Sequence, residues 1–185
     1  MRPRPSSDGI LDRAEKLFCS SGYADASLRD VMAAAGVSTT AFYARFDSKE
    51  AVLAALSARF FAEMLDEARG ALTGVRSLDE GVERGLAALV AALAPRKKLV
   101  RVLLVEAGAS KTALAARRDA YGALAGFLAL KLAPRPTADA IAWALIGALE
   151  LQVVRWAVWG TVPREGLEDA LRAAAHATLP SEAVR

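Results

Sequence analysis

The chain has 185 residues and a formal net charge of +3, and 54% of its residues are hydrophobic, 24% charged and 6% aromatic. This composition argues against a disordered chain, and the small net charge gives little support for binding a polyanion. Ala and Leu are abundant whereas β-branched and aromatic runs are scarce, so we predict an all-α fold rather than a β sandwich or barrel.

Neither a membrane span nor a secretion signal is evident in the sequence. The longest stretch without a charged residue, Val31 to Ala44, has fourteen positions, which is short of the roughly 20 residues that span a bilayer. Residues 1–9 contain no apolar core before a cleavage site. We therefore expect a cytoplasmic protein with no membrane partner.

The chain contains one cysteine, Cys19, and one histidine, His176, which limits the possible chemistry. An intrachain disulfide and a zinc site with several Cys or His ligands are excluded. Cys19 follows Leu17 and Phe18 in a helical pattern typical of a core position. We expect no catalytic residue, no metal and no cofactor, and hence a protein that is not an enzyme.

In chain order, the first two predicted helices are short. Apolar residues from Ile10 to Phe18 share one helical stripe, and Gly22 ends that helix. Ser27 opens a second helix, with Asp30 placed to complete a capping box. This helix stops at residues 35–37, Ala-Gly-Val.

A third and a fourth helix follow directly. Ser38 is expected to cap a third helix that runs through Phe46, and Asp47 with Glu50 marks the start of the fourth. Two short helices joined by a tight glycine turn and braced by longer ones are typical of a helix-turn-helix.

Beyond residue 70 the sequence predicts five more helices, for nine in total. A loop at Thr73–Arg76 precedes a capping box that starts at Ser77. The remaining helices are predicted at 78–93, 97–107, 113–132, from 137 onward, and after the breaker at 160–163.

The spacing of residues in the first four helices carries a resemblance. The matching residues are Ala14-x-x-Leu17-Phe18-x-x-x-Gly22-Tyr23, then Ser27-Leu-Arg-Asp-Val31, then Ala35-Gly36-Val37-Ser38-x-x-x-Phe42-Tyr43-x-x-Phe46-x-Ser48-Lys49-Glu50. This pattern, over residues 10–56, resembles the N-terminal domain of the TetR-like bacterial transcriptional regulators.

The resemblance implies a domain organisation and a function. It implies a helix-turn-helix DNA-binding domain in residues 1–50, a connecting helix in 51–70, and a helical effector-binding and dimerisation domain in 71–185. The expected partners are a second copy of the chain, double-stranded DNA with a palindromic operator, and a small-molecule effector. The expected function is that of a repressor released from its operator by the effector.

Eight residues match the family's DNA-contacting positions. Of these, Ser27 and Ser38 are expected to be N-caps whether or not they contact DNA. For Lys49 the alternative interpretation is an ordinary solvated charge. The eight are Ser27, Arg29, Ser38, Thr39, Thr40, Tyr43, Arg45 and Lys49.

The same residues have a physical interpretation of their own. Gly36 permits the left-handed conformation of a sharp turn, and Phe42 with Phe46 would hold the third helix against the first two. The hydroxyl, phenol and guanidinium groups left outside suit base edges and phosphates. Met32, Thr40 and Arg45 stand where the family often has Ala, Gly and His, so no known operator can be borrowed.

The helix that starts at Thr137 carries two apolar faces. One face, together with the last helix, is predicted to form the dimer interface, with packing in the chain's own core as the alternative. The interface candidates are Ala140, Ala144, Gly147, Leu151, Val154, Val158, Leu167 and Leu171.

The other face and the preceding helices are predicted to hold the effector. Glu106 and Glu150 interrupt apolar runs, and a carboxylate among apolar residues suggests either a ligand cavity or pairing with solvent, Arg101 or Arg155. The candidates are Leu103, Glu106, Tyr121, Leu124, Phe127, Trp143, Ile146 and Glu150.

Two other functions remain open on the sequence. A helical protein-interaction adaptor would use the first domain for docking and would show no salt-sensitive binding to DNA. A ligand-responsive activator would share every feature of the repressor.

Overall fold

The structure, a computed structural model, describes residues 6–179, and in that range it contains nine α-helices and no strand. The helices are α1 (Ser7–Ser21), α2 (Leu28–Ala35), α3 (Thr39–Tyr43), α4 (Lys49–Ala71), α5 (Leu78–Leu93), α6 (Lys97–Val105), α7 (Lys111–Leu132), α8 (Ala138–Ala157) and α9 (Leu167–Thr178). Short 3-10 turns lie at Ala94–Arg96 and Glu106–Ala109. The all-α prediction is confirmed. Most of the segment interpreted as lacking a secretion signal lies outside the described residues.

Three of the predicted helix ends are confirmed. Gly22 ends α1 with φ of 86°, and its N–H donates to the Phe18 carbonyl. Ser27 and Asp30 form a reciprocal capping box at the start of α2. Gly36 then ends α2 with φ of 64°, a left-handed conformation that suits glycine because it has no Cβ.

Two boundaries differ from the prediction. α3 ends at Tyr43 rather than Phe46, because the Arg45 and Phe46 N–H groups both donate to the Phe42 carbonyl and tighten the chain into a turn. α4 is capped by Ser48, whose hydroxyl accepts the Ala51 N–H at 3.1 Å, and not by Asp47.

The chain divides into two compact units. The first contains the described residues up to Phe60 together with Lys98–Arg117, and the second contains Phe61–Lys97 and the described residues from Arg118 onward. α4, α6 and α7 therefore contribute to both units. The predicted functional division at residues 50 and 70 stays a prediction.

The first unit is built around α1, α2 and the first half of α4. Arg59 of α4 joins this half to α1, since its guanidinium donates to Asp12 at 2.8 Å and to Glu15 at 3.0 Å. α6 supplies further buried aliphatic side chains, among them Leu99, Val100 and Leu103. The largest fully buried side chains on α1 to α4 are Ile10, Phe18, Val31, Phe42, Val52, Leu53 and Leu56.

The second unit is organised by α8, which packs on α9, and by α5, which also packs on α9. Trp156 of α8 is fully buried, as are Leu167 and Leu171 of α9. At the surface Arg172 donates to both carboxylate oxygens of Glu83, at 2.9 and 3.0 Å, so that α9 and α5 are also joined by a bidentate ion pair.

α8 is long and apolar on average. By length and composition alone it is the one helix among the described residues that could cross a membrane. Glu150 and Arg155 limit the length of uncharged sequence in α8, although the helix remains apolar on average. The length of uncharged stretches alone therefore does not identify α8 as a helix that could cross a membrane. The core helix of a soluble protein passes the same test, and α8 packs against α9.

Candidate nucleic-acid interface

The turn between α2 and α3 fixes the angle between the two short helices. Gly36 donates its N–H to the Ala33 carbonyl, and Val37 donates to the Met32 carbonyl, each at 3.1 Å. These bonds satisfy carbonyls at the end of α2 and reverse the chain within two residues. Ser38 then begins α3 by accepting the Ala41 N–H at 3.2 Å.

Two aromatic side chains anchor α3 to the core. Phe42 is fully buried and Phe46 nearly so, with their ring centroids 5.9 Å apart. Tyr43 lies edge-on to Phe42 at 5.7 Å but remains 50% exposed. Because a five-residue helix has little stability of its own, this burial determines which side of α3 faces outward.

The outward side of α3 carries the predicted polar set. Ser38, Thr39, Thr40, Tyr43 and Arg45 are all exposed. Arg45 Nη1 donates to the Ala41 carbonyl at 3.0 Å, so its guanidinium lies back along α3 while other N–H groups stay available. The structure therefore brings hydroxyl, phenol and guanidinium groups together on one short surface.

Ser27 and Arg29 lie exposed in the first turns of α2. The Ser27 hydroxyl accepts the Asp30 N–H at 3.2 Å and donates to Asp30 Oδ2 at 2.6 Å. The Ser27 hydroxyl and the Ser27 backbone N–H both donate to Asp30 Oδ2, and these two bonds lower the pKa of the Asp30 carboxyl. A phosphate at Ser27 would thus compete with an ionised Asp30 for the hydroxyl proton.

Lys49 is more constrained than its sequence context suggests. Its ammonium donates to the carbonyls of Tyr23 and Ala26, each at 2.8 Å, and lies 4.2 Å from the centroid of the Tyr23 ring. Two of its three N–H donors are thus used within the chain, which leaves one for a phosphate. The alternative interpretation of Lys49 as an ordinary solvated charge is therefore wrong, whereas its predicted phosphate contact stays a prediction.

Sequence reasoning missed the polar contacts around Tyr23. The ring is buried edge-on against Phe18, with centroids 5.1 Å apart. Burial, together with the charge of Glu50 and the hydrogen bond to it, and the charge of Glu106, raises the pKa of Tyr23 to about 12. Tyr23 is part of the sequence motif. Nothing in the sequence indicates that a residue 82 positions beyond Ala24 forms a hydrogen bond with the turn that contains Tyr23 and Ala24.

That distant residue is Glu106. Its Oε2 accepts the Ala24 N–H at 3.0 Å within the first unit. Glu106 was predicted to line an effector cavity, and the structure instead gives its carboxylate a backbone partner. Leu103, from the same predicted set, is fully buried in this unit.

The other predicted effector residues lie in the second unit. Tyr121, Leu124 and Ile146 belong to one apolar cluster, and Tyr121 packs edge-on against Phe61 at 5.4 Å. Phe127 is half-buried, and the Lys131 ammonium lies 5.6 Å from its ring centroid. Glu150 is also half-buried on α8.

Trp143 differs from that group. It is 42% exposed on α8 and shares the outer side of the helix with Ala140, Ala144, Gly147 and Leu151. Positions 143, 147 and 151 follow at intervals of four, so they lie along one helical row. The structure thus places Trp143 with the predicted dimer residues rather than facing the apolar cluster.

Two predicted interface residues need correction. Leu167 and Leu171 of α9 are fully buried within their own chain, so neither offers surface to a second protomer. Their spacing was read correctly as an apolar stripe, but the stripe packs inward. Val154 on α8 and Val158 directly after it remain half-exposed.

No group of three or more His, Cys, Asp or Glu side chains in the described range could hold a metal ion. Cys19, the single cysteine, is a half-buried free thiol, and burial raises its pKa. The polar groups gathered at α2 and α3 are therefore the strongest candidate site, and their chemistry suits binding rather than catalysis.

The comparisons with known proteins agree with this geometry. The family model described as bacterial regulatory proteins of the tetR family matches residues 10–56. Over this span, about a quarter of the chain, the sequence is similar to the TetR-like regulators. The matched family consists of transcriptional regulators and not of enzymes, which agrees with the expectation of a protein that is not an enzyme. All eight predicted DNA-contacting residues lie inside the matched span.

Solved structures extend the likeness in fold beyond residues 10–56. A protein from Syntrophomonas wolfei named as a TetR-family transcriptional regulator is 20% identical, with a TM-score of 0.80 and 97% of each chain covered. The fatty acid degradation regulator FadR from Bacillus halodurans is also 20% identical, with a TM-score of 0.79 and 100% of each chain covered.

A third neighbour was solved with a ligand. FadR from Thermus thermophilus, a TetR-family repressor in complex with lauroyl-CoA, is 24% identical, with a TM-score of 0.68 and coverage of 97% of this chain and 98% of that one. A comparison with curated proteins found no match.

Proposed function

We propose that this TetR-like chain is a cytoplasmic homodimeric repressor that binds a palindromic operator through α2 and α3 and leaves it when a small molecule binds the second unit. The observation that carries the proposal is the exposed polar side of α3, held in place by the buried Phe42 and Phe46. A short helix anchored in this way can enter a major groove with its polar side chains against base edges.

Each DNA-binding residue has a proposed task. Thr39 and Thr40 meet bases, because their hydroxyls donate and accept and their methyl groups can contact thymine. Tyr43 meets a phosphate and Arg45 adds a further DNA contact, and Ser27 and Arg29 meet phosphate or a base edge from the start of α2. Ser38 caps α3 next to these residues. Lys49 donates to phosphate with its third N–H, because its other two N–H groups bond to carbonyls.

The dimer is proposed to form across the outer face of α8. This face presents Trp143, Gly147 and Leu151 to the surroundings, and an apolar helix face of this kind marks an interaction surface. A second protomer covers it in our proposal, rather than a membrane. Two linked recognition helices then read two half-sites about one helical turn, or a multiple of it, apart.

The effector is proposed to be an amphipathic molecule with an apolar part. The apolar cluster at Tyr121, Leu124 and Ile146 supplies the side chains for such a molecule, and Phe127 and Glu150 lie on the same two helices. The neighbour solved with lauroyl-CoA makes acyl-CoA molecules the first ligands to test. A ligand that favours the DNA-incompetent state lowers the affinity of the protein for DNA. Bound DNA lowers the affinity of the protein for the ligand by the same factor.

Selection from a random pool of duplex DNA tests the DNA-binding part of the proposal. The expected result is a palindromic or nearly palindromic site that the unaltered chain retains. A chain that enriches no sequence and shows no salt-sensitive retention of DNA would favour the adaptor. Adding acyl-CoA of different chain lengths to the retained complex tests release, and enhanced retention would favour a co-repressor mechanism instead.

A further inference from the structure

The turn between α1 and α2 is held by two side chains of opposite charge. Lys49 donates to its carbonyls at Tyr23 and Ala26, and Glu106 accepts its N–H at Ala24. An ammonium on the carbonyl oxygens and a carboxylate on the amide hydrogen both complement the peptide dipoles. The turn is therefore fixed from two sides by side chains from other elements.

The two contacts come from different parts of the chain. Lys49 lies inside the span that matches the family model, whereas Glu106 lies 50 residues beyond its end. Glu106 begins the 3-10 turn that follows α6. Leu99, Val100 and Leu103 are buried on α6, and Leu103 is three positions before Glu106, so the apolar packing of α6 fixes where this carboxylate sits.

The turn leads directly into a proposed DNA-contacting end. Ser27, the N-cap of α2, is three residues after Ala24, and Arg29 follows in the first turn of the helix. A displacement of the turn would move both side chains relative to α3. The direction of α2 therefore depends on what holds Ala24.

We propose that Glu106 is a positioning residue for DNA binding, which sets the start of α2 by accepting the Ala24 N–H. This inference rests on the proposed binding of DNA by α2 and α3. It also means that a segment outside the family-matched span forms part of the DNA-binding machinery.

The charge of Glu106 makes the proposal easy to test. Removal of a carboxylate from a DNA-binding protein should by charge alone strengthen binding, since DNA is a polyanion. If Glu106 positions α2, Glu106→Ala should weaken binding instead, by about three- to tenfold for one lost hydrogen bond. Glu106→Gln keeps an oxygen that can accept the bond and should restore most of the affinity.

The experiment measures fluorescence anisotropy of a labelled duplex selected by the unaltered chain, with Glu165→Ala as the matched loss of an exposed carboxylate. We expect Glu165→Ala to bind as well as or better than the unaltered chain, Glu106→Ala to bind more weakly, and Glu106→Gln to bind almost normally. Hydrogen exchange at the Ala24 amide should accelerate in Glu106→Ala only.

Two results would overturn the inference. One is normal or tighter DNA binding by Glu106→Ala. The other is an equal loss of DNA affinity in Glu106→Gln and Glu106→Ala, because the hydrogen bond to the Ala24 N–H would then not account for the loss. If the unaltered chain binds no duplex DNA, the proposed function itself fails, and that result differs from both.

Discussion

Lys49 and Tyr23 are joined twice, because the Lys49 ammonium donates to the Tyr23 carbonyl at 2.8 Å and also lies 4.2 Å from the centroid of its ring. A charged donor on a carbonyl and a cation over an aromatic face are both favourable contacts. The residue that the family motif marks for phosphate contact thus also has a structural task.

This double task predicts a loss of stability when Lys49 is changed. Lys49→Met should lower the free energy of unfolding by about 1–3 kcal/mol, because two carbonyls lose a charged donor. Lys16→Met removes an exposed Lys on α1 and should change stability by less than about 0.5 kcal/mol. Chemical denaturation of both variants compares them, and equal stability would show that the Lys49 contacts contribute nothing.

Tyr43 and Thr39 should have separable effects on DNA binding. Tyr43→Phe removes a proposed phosphate contact, so affinity should fall by a similar factor for all sequences, while the log–log salt slope should stay unchanged because the phenol is neutral. Thr39→Ala should instead change the preferred bases. Titrations of several duplex sequences measure both effects, and a Tyr43→Phe variant with unchanged affinity would remove its phosphate role.

Substitution of glycine by alanine should have opposite effects on stability at Gly36 and at Gly126. Gly36 has φ of 64°, so Gly36→Ala should cost about 1–2 kcal/mol although an added Cβ meets no atom within 4 Å. Gly126 lies within α7 with equally open space, so Gly126→Ala should stabilise by about 0.5–1 kcal/mol. Thermal unfolding gives the comparison, and a stabilising Gly36→Ala would contradict the left-handed turn.

Tyr23 predicts a loss of stability in alkali. Its pKa is raised from an ordinary 10 to about 12, so the folded state holds the phenol proton more tightly than the unfolded state does. The associated stability is complete below pH 10 and is lost as the pH rises through 12. Between these values the unaltered chain should lose more unfolding free energy than Tyr23→Phe, and parallel curves would argue against the raised pKa.

The α8 face predicts that one new charge can separate protomers. Gly147→Asp would place an unpaired carboxylate in the proposed interface and should weaken association at least about a hundredfold. Leu130→Asp introduces the same charge at a highly exposed leucine of α7 and should leave association unchanged. Sedimentation velocity distinguishes the two, and a Gly147→Asp variant that remains dimeric would move the interface elsewhere.

Local rules explain why the first helices could be predicted so fully. The caps at Ser27 and Ser38 and the turn at Gly36 depend on residues within four positions of one another, so spacing alone reveals them. The motif also showed that Phe42 and Phe46 face inward. These features determine most of the candidate site.

Tertiary partners could not be predicted in the same way. Leu167 and Trp143 each lie on an apolar stripe, and periodicity does not say whether such a stripe meets its own core or another surface. The structure buries Leu167 and exposes Trp143, the reverse of what was expected. The bond from Ala24 to Glu106 spans 82 positions and leaves no local pattern.

Binding stoichiometry on the selected duplex shows whether two copies of the chain read DNA through α2 and α3. Sedimentation with labelled duplex counts the protomers bound to the intact palindrome and to the same duplex with one half-site scrambled. We expect two protomers on the palindrome and a large loss of affinity on the scrambled duplex. One protomer bound with equal affinity to both duplexes would contradict this expectation.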